Sequence, residues 1–256
     1  MGQVPTERPK APDNDGAHAM STLAATPTKP APAPAAHAST PETIPGDQRI
    51  VIRGVDPDLY HRLSDVIGEH QCIRLIYDGR DLELMTIGPI HEDFKELFGS
   101  FIRALMLCLG IDLLPGGQTT RRTAGADRGL EPDLSYYFDP DKLQAVRSAL
   151  ARRSNNPADY PAPDLAIEID VSEPEVDRPT IYRALNVMEV WRFDGRLVTI
   201  EQLQADGSYA GATSSRFLPI GPAEIQRWLV DEDSGHRLDW ERRLNQWAAR
   251  LANRNV

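Results

Sequence analysis

Between Leu165 and Val171 a large apolar side chain falls on every second residue. Leu165, Ile167, Ile169 and Val171 alternate with Ala166, Glu168, Asp170 and Ser172. Period-two alternation of this kind specifies a β-strand with one face that must be covered. A chain carrying it needs a sheet and a second layer to pack on that sheet. The other face holds two acids, Glu168 and Asp170, which project in the same direction roughly 6.5–7 Å apart on a pleated strand. Read alone, these acids belong to the wet side of a half-buried strand. If they were desolvated, they would need a metal ion, a basic partner or water to offset the cost of burial.

The rest of the chain supplies the layers. Asp56 is placed to cap a short helix over Pro57–Ile67, with Leu59, Leu63 and Val66 on one side. The segment IRLIYDGRDLELMT reads as a hairpin, Ile73–Tyr77 and Leu82–Thr86, turning at Asp78-Gly79. From His91 to Leu109, Phe94, Leu97, Phe98, Phe101, Leu105 and Leu109 recur at helical spacing, and Gly110 follows as a C-cap. Short strands are expected after Gly110, in QTTRR and over Leu134–Phe138. A helix is expected over about 178–186, and strands Glu189–Phe193 and Arg196–Gln204 turn at Asp194-Gly195. Two helices, about 222–231 and 238–252, close the chain. The order gives a mixed α/β domain with one central sheet flanked by helices.

Residues 1–47 stand apart. They hold nine of the 21 prolines, and almost no large apolar side chains. Such a segment cannot bury enough surface to offset its ordering entropy, so 1–47 is expected to be a disordered tail. The chain then divides into a tail over 1–47, a folded domain over 48–220 and a helical extension over 221–256.

Composition bounds the function. Hydrophobic residues make up 41% of the chain, enough for a core, and net charge is -10, which argues against a generally basic, nucleic-acid-coating surface. A local basic groove or a bound divalent cation remains compatible with that charge. Cys72 and Cys108 both lie in apolar contexts and read as reduced thiols, consistent with a cytoplasmic setting. There is no run of about 18 apolar residues and no secretory leader pattern, so no membrane association is expected. The P-loop pattern, Cys/His zinc spacings and a recognisable Ser-His-Asp arrangement are absent.

A second pair of acids, in Glu131-Pro132-Asp133, stands at the start of the Leu134–Phe138 strand. If that strand neighbours 164–171, Asp133 meets Glu168. Carboxylate oxygens converging at a sheet end are the donors Mg²⁺ takes, with water or phosphate completing its octahedron. The ordered set IRLIYDGRDLELMTIGPIHE, PGGQTTRR, RGLEPDLSYYF and PDLAIEIDVSEPEVDRPTIYRALNVMEVWRFDG, spread over roughly residues 60–220, resembles the Uma family of restriction endonucleases, in the PD-(D/E)XK nuclease superfamily.

The resemblance implies a restriction-endonuclease-like core, an α/β fold with a mixed central sheet flanked by helices. It implies an endonuclease that uses Mg²⁺ or Mn²⁺ to hydrolyse DNA phosphodiester bonds. Asp133 and Glu168 match the metal-binding acids. The superfamily lysine two residues after the Glu is replaced by Asp170. In this family the lysine usually moves to the following helix, where this chain has Arg178. Arginine holds phosphate but stays protonated, so it is a poor proton acceptor. The site set is therefore Asp133 and Glu168 as ligands, Asp170 assisting and Arg178 stabilising the phosphoryl transition state. The alternative is a catalytically impaired nuclease-fold module that binds nucleic acid or self-associates. A homodimer is expected, since cutting two strands often uses two sites and symmetric dimers are common. The family's Gly-Val-Pro-Glu before its Trp is here Asn186-Val187-Met188-Glu189.

Lesser candidates keep plainer readings. His91 and Glu92 are expected at a helix start with solvent or backbone partners. Glu83 is expected at the surface, and Tyr182 and Trp191 in the core. Gly116-Gly117 is expected to form a tight turn, and Arg121-Arg122 is the one basic doublet near the Glu-Pro-Asp segment.

Overall fold

The computed structural model describes residues 47–67, 73–117, 121–122 and 128–253. In it the strands form two sheets, where the sequence pointed to one. The tail up to residue 46, Cys72 and residues 118–120 of QTTRR lie outside the described residues. In chain order the elements begin with β1 (Gln48–Ile52), α1 (Pro57–Ile67), β2 (Ile73–Tyr77), β3 (Leu82–Thr86) and α2 (Pro89–Leu109). Then come β4 (Leu114–Pro115), β5 (Arg121–Arg122), β6 (Gly129–Leu130), β7 (Leu134–Tyr137) and α3 (Pro140–Ala151). A single 3-10 turn at Pro157–Asp159 leads to β8 (Leu165–Ile169), α4 (Arg178–Ala184), β9 (Glu189–Phe193), β10 (Val198–Leu203) and β11 (Tyr209–Ala212). The last elements are α5 (Pro222–Leu229) and α6 (Arg237–Ala252). No helix among the described residues is long and apolar enough to cross a membrane.

The smaller sheet runs β1-β3-β2-β6-β5 and the larger β11-β10-β9-β8-β7-β4. Within the larger sheet β8 is antiparallel to β7 and parallel to β9, so it sits at the centre. Central position explains its composition: all five residues of Leu165–Ile169 are buried. On one face, Leu165, Ile167 and Ile169 join Phe98, Phe101, Trp191, Phe193 and the α5 and α6 residues Ile225, Trp228, Trp240 and Leu244. Phe94 and Phe98 meet Phe193 edge-on, at 4.8 and 5.9 Å between ring centroids. Each fully buried side chain of this size contributes roughly 1.5–3 kcal/mol. The helical spacing in α2 thus finds the layer it required, with Gly110 in the left-handed region at its end (φ 65°).

The other face of β8 is also covered. Ala166 packs with Val190, with Ile181 and Tyr182 of α4, and with Ile76 and Leu130 of the smaller sheet. This second layer is what the alternation in β8 could not reveal. It turns the expected wet face, with Glu168 and Asp170, into an interface between two sheets. On the smaller sheet's far side Tyr60 stacks on Tyr77 at 4.5 Å, and the Tyr77 hydroxyl donates to the Val55 carbonyl at 2.7 Å.

Candidate active site: an arginine-filled acid box

Strand register aims the functional side chains into the gap between the sheets. Leu134 pairs with Ile167, so one further step along the antiparallel ladder sets Asp133 opposite Glu168. Glu168 in turn pairs with Arg192 on β9. From the smaller sheet, Arg49 and Arg74 both pair with Met85, and Glu83 pairs with Ile76 two residues on. The N-termini of two helices complete the ring: His91 in the first turn of α2, and Arg178 as the first residue of α4.

Arg178 occupies the centre. Its side chain is 2% exposed and its Nη1 donates to Glu168 Oε2 at 2.6 Å and to Asp170 Oδ1 at 2.8 Å. Its Nη2 reaches Glu83 Oε1 at 3.3 Å. Arg49 bonds Glu83, lies 3.4 Å from Asp170 Oδ1, and donates to the Ser172 hydroxyl at 2.7 Å. Arg192 Nη1 is 3.7 Å from Asp170 Oδ2 and its Nε donates to Glu201 at 3.0 Å. The Tyr182 hydroxyl donates to Glu168 Oε1.

Asp133 belongs to an adjoining cluster. Its Oδ1 meets His91 Nε2 at 2.6 Å and the Arg74 guanidinium, while its Oδ2 accepts the Ile169 amide at 2.6 Å. The other ring nitrogen of His91 meets Asp47 Oδ2 at 2.9 Å, and Asp47 Oδ1 accepts the Gly88 amide.

The electrostatics follow from this packing. Burial opposes the charge on Arg178, but Glu168, Asp170 and Glu83 outweigh it and hold the guanidinium above the ordinary arginine value. Burial pushes the Glu83 carboxyl up. Arg178, the Glu175 amide and Arg49 outweigh that and leave it below its ordinary value. Burial and then the Glu168 charge raise the Tyr182 phenol, so it remains a donor. Burial pulls Arg74 below the ordinary arginine value, with Glu168 and Glu131 working against the shift. Four arginines (49, 74, 178 and 192) thus face four carboxylates (Glu83, Asp133, Glu168 and Asp170), with Glu201 on Arg192 and Asp47 on His91 at the edges.

The family model described as putative restriction endonuclease, Uma2, matches residues 57–220. The chain belongs to that family. Its α/β architecture is accordingly restriction-endonuclease-like, and the family membership marks it as a nuclease relative. Restriction-endonuclease-like proteins typically use divalent metals and act on DNA. Among curated proteins nothing matches the chain. The Uma2 region holds Glu83, His91, Asp133, Glu168, Asp170 and Arg178, while Asp47 and Arg49 precede it and α5 and α6 follow it.

Of the four site residues named from sequence, Glu168 and Asp170 meet on Arg178, while Asp133 lies in the adjoining cluster with Arg74 and His91. Mg²⁺ takes oxygens at about 2.1 Å in a near-ideal octahedron. Both oxygens of Glu168 and both of Asp133 already accept hydrogen bonds. Among the described residues no group of three or more His, Cys, Asp or Glu side chains is disposed to hold a metal ion. A dication at Glu168 would share the carboxylate with a guanidinium 2.6 Å away. As arranged, the residues do not fit Mg²⁺.

Several minor expectations change with the second sheet. Glu83 is fully buried rather than at the surface, because β3 faces β8. His91 is fully buried between two carboxylates rather than facing solvent or backbone. Tyr182 and Trp191 are core residues, as expected, although Tyr182 also touches Glu168. Glu92 pairs with Lys95 outside the box. Gly117 takes φ 64° in the turn after β4. Arg121 and Arg122 pair with β6 through their backbone, and their side chains lie outside the described residues. Sequence reading passed over Arg49, Arg74, Arg192 and Asp47. The signal for Arg74 was present: a charged residue inside the apolar run Ile73–Tyr77 must find a buried partner.

Proposed function

We propose that this chain is a nuclease-fold domain whose acid box is closed by arginine, and that it binds nucleic acid without cutting it. The observation carrying this reading is the Arg178 guanidinium seated between Glu168 and Asp170, at 2.6 and 2.8 Å. A buried carboxylate that is already neutralised offers little to a hydrated dication, which must also shed waters to enter. Arginine also lacks the proton-accepting capacity that a lysine can be tuned to supply.

A second reading, a Mg²⁺-dependent DNA endonuclease, is favoured by the placement of Asp133 opposite Glu168 on paired strands. In that reading Asp133 and Glu168 would hold the ion, Asp170 would assist and Arg178 would hold the phosphate. A homodimer that cuts both strands belongs to that reading, while a cytoplasmic location goes with either.

One assay separates the two. The full chain is incubated with supercoiled plasmid and with single-stranded DNA in Mg²⁺ or Mn²⁺, beside Glu168→Gln, and binding is followed by mobility shift. The proposal expects retained DNA and no metal-dependent cleavage. Cleavage by the natural chain that disappears in Glu168→Gln overturns it in favour of the endonuclease.

A further inference from the structure

Beyond the Uma2 match, α5 and α6 pack on α2 and line an open cleft of about 320 Å³. That volume lies at the small end of ligand sites, roughly 300–1,000 Å³. Its lining is unlike the rest of this acidic chain. Arg227, Arg243 and Arg250 stand around Trp228, Trp247 and Gln246. The one acid in the lining, Asp231, is taken by Arg243 at 2.8 and 3.3 Å. Arg227 and Arg250 are both exposed and have no ion-pair partner among the described residues. The mouth therefore carries an excess of two positive charges on a protein of net charge -10.

The aromatic part is also prepared. The Arg227 guanidinium lies 5.5 Å from the Trp228 ring and 5.7 Å from the Trp247 ring. The two indoles are 5.6 Å apart, with Trp228 buried and Trp247 half-buried.

We infer that this cleft takes a nucleotide unit of single-stranded nucleic acid. Guanidinium groups match phosphate oxygens with paired N–H donors. Aromatic faces at the edge of a basic cleft stack bases without regard to sequence. A duplex, whose bases are already stacked inside, presents no free face to Trp247. The inference rests on the nucleic-acid-binding reading above and names where that binding occurs. It places recognition on the C-terminal helices, away from the acid box.

The test uses the full chain and follows tryptophan fluorescence and the anisotropy of labelled dT12. Parallel titrations use inorganic phosphate, dTMP and a 12-base-pair duplex. The variants are Arg250→Glu and Arg227→Gln, with Arg152→Glu on an exposed turn as the control for bulk charge. Saturable quenching by dTMP and dT12 is expected. Arg250→Glu should weaken dT12 at least tenfold and flatten the log–log salt slope by about 0.7 per lost phosphate contact. Arg152→Glu should stay within about twofold of the natural chain, since a distant exposed charge is largely screened. Inorganic phosphate binding as tightly as dTMP, or the duplex as tightly as dT12, overturns the assignment. So does equal weakening by Arg250→Glu and Arg152→Glu. If DNA is still retained while Arg250→Glu has no effect, this site fails and the nucleic-acid-binding reading stands.

Discussion

Replacing Arg178 by Met removes the guanidinium while keeping a long side chain in its place. In the natural chain, Arg49, Arg178 and Arg192 balance Glu83, Glu168 and Asp170, none of them more than slightly exposed. The variant leaves one buried carboxylate without compensation. Removing one partner of a buried pair costs about 3–5 kcal/mol, far more than the pair contributes relative to an apolar replacement. For a domain of this size each kcal/mol moves the melting temperature by about 2–4 °C, so the expected fall at pH 7 is about 6–20 °C. The loss depends on pH with a definite sign. In the natural chain Glu83 sits below its ordinary value of 4.5, so its contribution is present above that pH and is lost as pH falls through the folded value. Without Arg178, the largest of the groups that offset burial is gone, so the Glu83 value rises, the buried carboxylates penalise folding at neutral pH, and the penalty shrinks in acid. Melts of both proteins between pH 7 and pH 4 should therefore converge. Adding Glu168→Gln to Arg178→Met should recover part of the loss at pH 7, since one of the orphaned charges is gone. A deficit under about 1 kcal/mol at pH 7, or one that does not shrink in acid, would refute the account of a charge-balanced box.

Asp47→Ala strips the acceptor from both His91 and the Gly88 amide, and urea unfolding should show a loss of about 2–4 kcal/mol. Asp139 caps α3 by accepting from the Asp141 and Lys142 amides, so Asp139→Ala should cost about 1 kcal/mol in the same measurement. Asn186 holds φ 56°, so Asn186→Gly should keep or raise stability while Asn186→Val lowers it by at least about 1–2 kcal/mol. Millimolar Mg²⁺ should leave the melting temperature of the natural chain unmoved, because a ligand of the folded state raises it by mass action. A rise that disappears in Glu168→Gln would restore the metal site.

Periodicity made the larger sheet and its helices legible, because a single layer of contacts decides each of them. The spacing of Phe94, Leu97, Phe98, Phe101 and Leu105 demands one apolar partner surface, and β8 with β9 and the C-terminal helices supply it. The resemblance implied a glycine where this chain has Asn186. Asn186 takes the left-handed conformation that glycine adopts freely, so the turn before β9 survives the change. What alternation cannot encode is a second layer on the opposite face. Glu168 and Asp170 have the same polarity whether they meet water or three arginines, and Glu83 looks the same on a wet hairpin as in a sealed interface. The arginines that decide the matter come from positions spread along the chain, from Arg49 to Arg192, and only pairing of the two sheets brings them together. The resemblance implied a lysine where this chain has Arg178. The consequence was not legible, because a lysine has one ammonium to share, whereas the guanidinium bridges Glu168, Asp170 and Glu83 at once. Where the resemblance implied a lysine, the Arg178 guanidinium fills the space among Glu168, Asp170 and Glu83.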